Sequence, residues 1–314
     1  MSHRLGPNLY IKSSYLCAFK VMITAELPSE RSLLRYWLLV PLAVVLLIVL
    51  AYPFGYSFFI SFHNYELTSL DDIRFVGLSN YTELLHDDSY WNSISNTLIF
   101  VVGAVSIETF LGLGLALLIQ KLGVFRNFIL AVLLTPMFIT PIAVGLMFRF
   151  LLNSQMGVIP LYLSALGIEV DWFSSELALL SIILIDVWQW TPFMLLLILA
   201  GLESLPNAPF EAAKVDGATA WFTFINVTLP LLRPVMVVAI IIRGVDASKV
   251  FEYVYAITRG GPGDRTEMIL FHVYKEGFRF FRMGNAAAMS FILVTILLCA
   301  VFSIIYFLKF KRDY

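Results

Sequence analysis

YWLLVPLAVVLLIVLAYPFGYSFFISF, residues 36–62, contains no Asp, Glu, Lys, Arg or His across 27 positions. As a helix rising about 1.5 Å per residue, it exceeds the roughly 20 residues needed to cross ~30 Å of hydrocarbon. Tyr36 and Trp37 stand at its start, where amphipathic rings settle at the membrane–water boundary. Five further apolar runs of similar length follow, at residues 94–119, 128–151, 177–202, 229–250 and 286–308. Helices are expected, because an open sheet edge has no partners in lipid and the runs lack the alternation of a membrane barrel. The reading is an all-α membrane protein with six transmembrane helices.

The rest of the composition agrees. Of 314 residues, 60% are hydrophobic and 14% charged, with mean hydropathy +0.85. A soluble domain carries about 25% charged residues, so the bilayer is the natural solvent for this chain. A net charge of −1 without an arginine-rich face argues against nucleic acid as a partner. Cys17 and Cys299 lie too far apart to suggest a disulfide framework. His3, His63, His86 and His272 form no pair at metal-ligand spacing, so no metal site is expected.

Six spans put both termini on one side, and basic residues in short loops say which. Arg4, Lys12, Lys20, Arg31 and Arg35 precede the first span, Lys121 and Arg126 follow the second, and Lys309, Lys311 and Arg312 end the chain. Residues 63–93 hold only Arg74, and residues 152–176 hold no Lys or Arg. Both termini are therefore expected in the cytoplasm. Residues 249–282 dissent, with Lys249, Arg259, Arg265, Lys275, Arg279 and Arg282 on a loop this topology places outside. Residues 1–35 form a cytoplasmic N-terminal segment. Within it, Met22 begins a polar lead that reads as a native start, making 1–21 a dispensable extension.

Between the fourth and fifth spans, residues 203–230 are too long for a bare turn. Asn207-Ala208-Pro209 is a helix-start signal, with Asn207 as cap and Pro209 near the first position. Phe210 to Val215 reads as a short helix that Gly217 stops, and residues 218–224 as a second amphipathic piece before Leu229-Pro230. Ala212 and Ala213 would let another protein surface approach closely. Glu211, Lys214 and Asp216 would fix the register of docking.

Glu211-Ala212-Ala213, then Gly217, then Val227-Thr228-Leu229-Pro230 resembles, in order and spacing, the EAA loop of ABC importer permeases. Val227 holds the place often taken by Ile. The resemblance extends from about residue 36 onward. Phe75-Val76-Gly77-Leu78-Ser79-Asn80-Tyr81 is similar to an outer-loop segment of the carbohydrate-type permeases. Val187-Trp188-Gln189-Trp190-Thr191-Pro192-Phe193 and Ile257-Thr258-Arg259-Gly260-Gly261-Pro262-Gly263 match the same group. Arg243, Asp246, Val250-Phe251 and Glu252 resemble the maltose- and trehalose-type sugar permeases, with Glu252 where Asp is common.

That family implies a type I importer permease fold, residues 36–314 as the permease domain, and the bacterial inner membrane as its place. It also implies a homologous second permease, two ATPase subunits and an external substrate-binding protein. Glu211, Ala212, Ala213, Asp216 and Gly217 would then form the ATPase-coupling element. The chain has no G-x-x-x-x-G-K-[ST] phosphate loop, so ATP and magnesium would belong to the partner ATPases and no cofactor to this chain. The implied cargo is a di- or oligosaccharide. A polyol or glycerol-phosphate cargo, or a stand-alone secondary transporter, are the alternatives.

Charged residues inside spans cost about 3 kcal/mol on insertion scales and are functional candidates by default. Asp186 reads either as a polar packing contact or as part of the translocation path. Glu108 reads as a packing contact against another helix. Arg243 and Asp246, three apart on a helix, form either a structural pair or part of the path. Trp188, Gln189 and Trp190 have the stacking and hydrogen-bonding chemistry of a sugar site, or form a packed cluster at the Pro192 kink. Pro136 and Pro141 bend the third span, and Gly112 and Gly114 allow close helix packing.

Overall fold

The computed structural model describes residues 29–69 and 73–310. The proposed N-terminal extension at 1–21 lies outside these residues. The chain divides into two units, residues 1–57 and 58–314. In the first unit, helix α1 (Ser29–Leu46) passes through a wide π-helical turn, Leu47–Ala51, into α2 (Tyr52–Ile60), which runs past Ser57. Pro53 has no N–H for the carbonyl of Val49, and the π turn sits where that bond is lost.

The second unit opens with a short hairpin. Strands β1 (His63–Asn64) and β2 (Arg74–Phe75) pair antiparallel, His63 opposite Phe75 and Asn64 opposite Arg74. Helix α3 (Ser79–Leu85) is held to it by buried Asn80, whose amide donates to the carbonyls of Ser61 and His63 at 2.8 and 3.0 Å. Helix α4 (Asp88–Gln120) is the second span. Asp87 caps it, accepting from the Ser89 N–H at 2.8 Å, and Asp88 adds a negative charge at the positive end of the helix dipole.

The third apolar run is broken. Helix α5 (Arg126–Leu134) leads into a 3₁₀ turn, Thr135–Phe138, and then α6 (Pro141–Leu151) leaves at 92° to the first piece. The bend expected from Pro136 and Pro141 is thus a complete break. Pro141 sits at a helix start, where its missing donor costs nothing, and Ile139 and Thr140 are extended. Helix α7 (Val158–Ala165) follows, then the fourth span, α8 (Ala178–Glu203), which continues through Pro192.

After the short α9 (Ala208–Val215), the fifth span starts earlier than expected. Helix α10 (Ala220–Thr223), a π turn at Phe224–Thr228 and α11 (Leu229–Ala247) form one continuous span. Leu229-Pro230 is therefore not its entry. The same device seen at Pro53 recurs, since the carbonyl that Pro230 cannot serve belongs to Asn226, inside the π turn. A π turn at Val254–Thr258 precedes α12 (Ile269–Tyr274), another at Lys275–Arg279 follows it, and α13 (Met283–Phe310) is the last span. Among the described residues five helices are long and apolar enough to cross a membrane, or six with the broken pair as one span.

Helices α4 and α8 share the most extensive contact, and α11 packs on both. Gly112 makes this closeness feasible: a Cβ there would lie 2.9 Å from the Met194 Cβ and 3.0 Å from the Leu195 nitrogen. Gly114 faces open space and has no such role. One apolar cluster joins Phe100, Ala104 and Val105 to Ile182, Ile185, Tyr253 and Val254. A second joins Ala116 and Ile119 to Met194, Leu195, Ile198 and Leu232.

The connections sort to two ends. Asn92 and Asn96 donate to the Asp264 carbonyl at 3.0 and 2.9 Å, and Thr97 accepts from the Ile269 N–H at 2.9 Å, so residues 63–93 and 249–282 share one end. There burial alone would push the Glu267 carboxyl up. Hydrogen bonds from His272 (2.5 Å) and Lys275 (2.6 Å) outweigh it and hold the carboxyl below the usual range. At the opposite end Arg126 pairs with Glu203, joining the basic loop after α4 to the segment after α8.

Candidate functional site

The segment between the fourth and fifth spans is built by two local devices. At its centre Gly217 adopts φ +71°, a left-handed conformation that costs glycine no side-chain clash. Its N–H bonds to the Lys214 carbonyl (3.2 Å), and the Ala218 N–H reaches the Ala213 carbonyl (2.9 Å). Together these form a Schellman motif that closes α9. Two residues later Thr219 turns extended and its hydroxyl accepts from the Phe222 N–H at 3.3 Å, capping the helix that becomes the fifth span. The chain therefore reverses between two helices within a few residues.

At the start of α9 the expected cap differs. Asn207 is already helical and its side chain makes no capping bond; its carbonyl instead accepts from Phe210 and Glu211 at 3.0 Å each. Helix α9 is anchored by Ala213, which is buried, while Glu211, Ala212, Lys214, Asp216 and Gly217 are exposed. Beside them Val215 is 87% exposed and Trp221 70%, with Phe222 also open. Two large aromatic side chains and a valine left bare beside fixed charges form a surface suited to another protein. Trp221 and Phe222 were missed from sequence; their signal is two aromatics next to a Thr cap, outside the apolar run.

Inside the membrane region a second constellation assembles from three helices. Arg243 on α11 is 1% exposed. Its Nε donates to Glu108 Oε2 at 2.9 Å and its Nη2 to Glu108 Oε1 at 3.0 Å, a two-pronged pairing. The same Nη2 also contacts Asp186 Oδ2. Nη1 reaches Asp246 Oδ2 at 3.4 Å, and Lys249 lies 3.7 Å from the other Asp246 oxygen. The Trp190 ring covers the guanidinium at 5.3 Å, within the range of a cation–π contact. Glu108 and Asp186 are sealed from solvent, whereas Asp246 is half exposed. The expected Arg243–Asp246 pair is thus the outer edge of a larger cluster.

Gln189 lies one turn further along α8 and is fully buried. Its amide donates to the Ile139 carbonyl at 2.6 Å, which is the carbonyl left free by the break between α5 and α6. Its own oxygen accepts from the Tyr253 hydroxyl at 2.5 Å. Gln189 therefore serves irregular backbone at membrane depth, the condition under which such backbone is tolerated. Trp188 points elsewhere: it is 40% exposed and its edge meets Phe148 at 5.3 Å. The structure thus gathers Asp186, Arg243 and Asp246 into one cluster with Glu108, places Gln189 beside it, and leaves Trp188 on an open face.

A family model described as the binding-protein-dependent transport system inner membrane component matches residues 108–312. The chain is 36% identical over 298 residues to the trehalose/maltose transport system permease protein MalF of Thermococcus litoralis. That alignment covers 93% of this chain and 99% of that protein. It is 39% identical over 264 residues to the probable ABC transporter permease protein y4oQ of Sinorhizobium fredii, covering 83% and 85% of the two chains. Among solved structures, a chain of a bacterial ABC transporter involved in the import of the acidic polysaccharide alginate shares the fold. Its TM-score is 0.77 over 88% of this chain and 96% of that one, at 24% identity. With a matching family model, several helices long and apolar enough to cross a membrane and permeases as relatives, the chain belongs to the inner membrane components of binding-protein-dependent transport systems: it is a permease subunit, not an enzyme.

Proposed function

We propose that this permease imports a di- or oligosaccharide of the trehalose or maltose type, driven by ATP hydrolysis in partner subunits. The observation that carries the cargo is the relation to the trehalose/maltose permease, which spans nearly the whole of both chains. In this reading the working unit holds this chain, a homologous second permease, two ATPase subunits and an external binding protein. ATP and magnesium are held by the ATPases, and this chain needs no cofactor of its own. Both termini face the cytoplasm. Residues 36–314 form the permease domain, and residues 1–21 are dispensable. A chain started at Met22 is expected to assemble and transport like the parent.

Coupling runs through residues 203–230. Helix α9 seats in the ATPase, with Ala212 and Ala213 allowing close approach, Glu211 and Asp216 setting register, and Gly217 making the turn. Closure of the ATPases would then move the attached fifth span as a rigid body. The continuous helix from Ala220 to Ala247 supports this, because a push at α10 reaches Arg243 and Asp246 without an intervening loop. Along the path, half-exposed Asp246 and the Trp188 face offer a hydroxyl partner and a stacking ring. Asp186, Gln189 and Arg243 support that surface from behind.

The test of the cargo is the ATPase activity of the reconstituted complex with a panel of loaded binding proteins. Stimulation by disaccharide- or oligosaccharide-loaded binding protein is expected. Stimulation only with a polyol or a glycerol phosphate would overturn the cargo while leaving the permease assignment standing.

A further inference from the structure

The cluster around Arg243 does not balance as ionised side chains. Its outer pair, Asp246 and Lys249, cancels, with both partners about half exposed and 3.7 Å apart. The inner group is Glu108, Asp186 and Arg243, at 0%, 2% and 2% side-chain exposure. Two carboxylates facing one guanidinium leave a net charge of −1 sealed among apolar side chains of α4, α8 and α11. An uncompensated charge in such a place costs several kcal/mol even after relaxation. Among the described residues no other cation pairs with Glu108 or Asp186. The remaining groups facing the cluster are the Trp190 ring over the guanidinium and the Tyr253 hydroxyl, which is committed to Gln189.

The geometry supplies a cheaper solution. Glu108 Oε1 and Asp186 Oδ2 both contact the same nitrogen, Arg243 Nη2, so the two carboxyl groups crowd one donor from opposite helices. Like-charged carboxyls held this closely do not both ionise; one proton serves the pair. We propose that Glu108 and Asp186 form a proton-binding carboxyl pair, holding one shared proton that leaves the triad electrically neutral with Arg243. The proton's place is between α4 and α8, and the guanidinium on α11 stabilises the single negative charge that remains. This assignment concerns assembly of the spans and holds whichever solute is carried.

The proposal makes an asymmetric demand on variants. An amide copies the shape of a protonated carboxyl, so Glu108→Gln alone or Asp186→Asn alone leaves one carboxylate opposite Arg243. Each single variant should assemble with its partner subunits in parent-like yield. The double variant strips Arg243 of every buried counter-charge and should lose assembly. Infrared difference spectra of the assembled parent complex at neutral pH should contain a protonated-carboxyl stretch that shifts in deuterated buffer. Both single variants should lack it. The proposal is overturned if the single variants fail to assemble as the double does, or if the infrared spectra of parent and single variants are the same in that region.

Discussion

At Arg243 a charge survives in an apolar helix because other helices complete its hydrogen bonds. Glu108 lies 135 positions away in sequence and Asp186 57, yet both reach the same guanidinium. Breaking a buried pair by removing one partner costs about 3–5 kcal/mol, since the charge left behind is uncompensated. Arg243→Met is therefore expected to lower the yield of assembled complex severely, measured by co-purification of the partner permease. A parent-like yield would mean that the cluster does not hold the spans together. Each of these residues was visible in sequence as an isolated charge in an apolar run. Their convergence was not, because spacing along one helix says nothing of which face meets which neighbour. Asn207 does hold the cap position read from sequence, but its backbone is already helical and its side chain makes no capping bond.

Hydrocarbon length made the membrane helices legible, and their irregularities follow from proline. At Pro53 and Pro230 a π turn holds the carbonyl that proline cannot serve, and the helix continues. At Pro141 the chain instead restarts a helix at 92°, with Gln189 occupying the exposed carbonyl of Ile139. Sequence alone does not say which outcome a proline produces: Pro192 and Pro234 lie inside helices that run on. Glycine gives a cleaner test at this scale. Gly112→Leu places side-chain atoms where a Cβ already lies 2.9 Å from Met194, whereas Gly114→Ala enters open space. Overpacking costs roughly 1–3 kcal/mol. Thermal unfolding of the purified complex should fall clearly for Gly112→Leu and remain parent-like for Gly114→Ala. Equal effects would mean that α4 and α8 do not pack as described.

For the molecule as a whole, the two ends of the bundle are joined differently. At one end residues 63–93 and 249–282 are tied by asparagine side chains; at the other, Arg126 and Glu203 bring the basic loop to the segment at 203–230. If both termini are cytoplasmic, as proposed, the first end faces outward despite the six basic residues in 249–282. A cysteine at exposed Asp264 should then label from outside intact cells, and labelling only after permeabilisation would reverse the topology. The helix–turn–helix at 203–230 was the most legible local feature in sequence, because its glycine and alanines sit at fixed spacing. The aromatic pair Trp221 and Phe222 beside it was not, since only the Thr219 cap turns that stretch into the exposed start of a span.

In the proposed mechanism this permease receives its driving force through residues 207–224, and two variants there test it. Gly217→Pro fixes φ near −65° where the turn needs +71° and removes the N–H bonded to Lys214. Glu211→Lys reverses an exposed charge without touching the membrane spans. Purified complexes of the parent and both variants are compared for ATPase co-purification and for hydrolysis stimulated by loaded binding protein. Both variants are expected to insert in the membrane yet lose ATPase association or its stimulation. Unchanged association together with unchanged stimulation in both would contradict it.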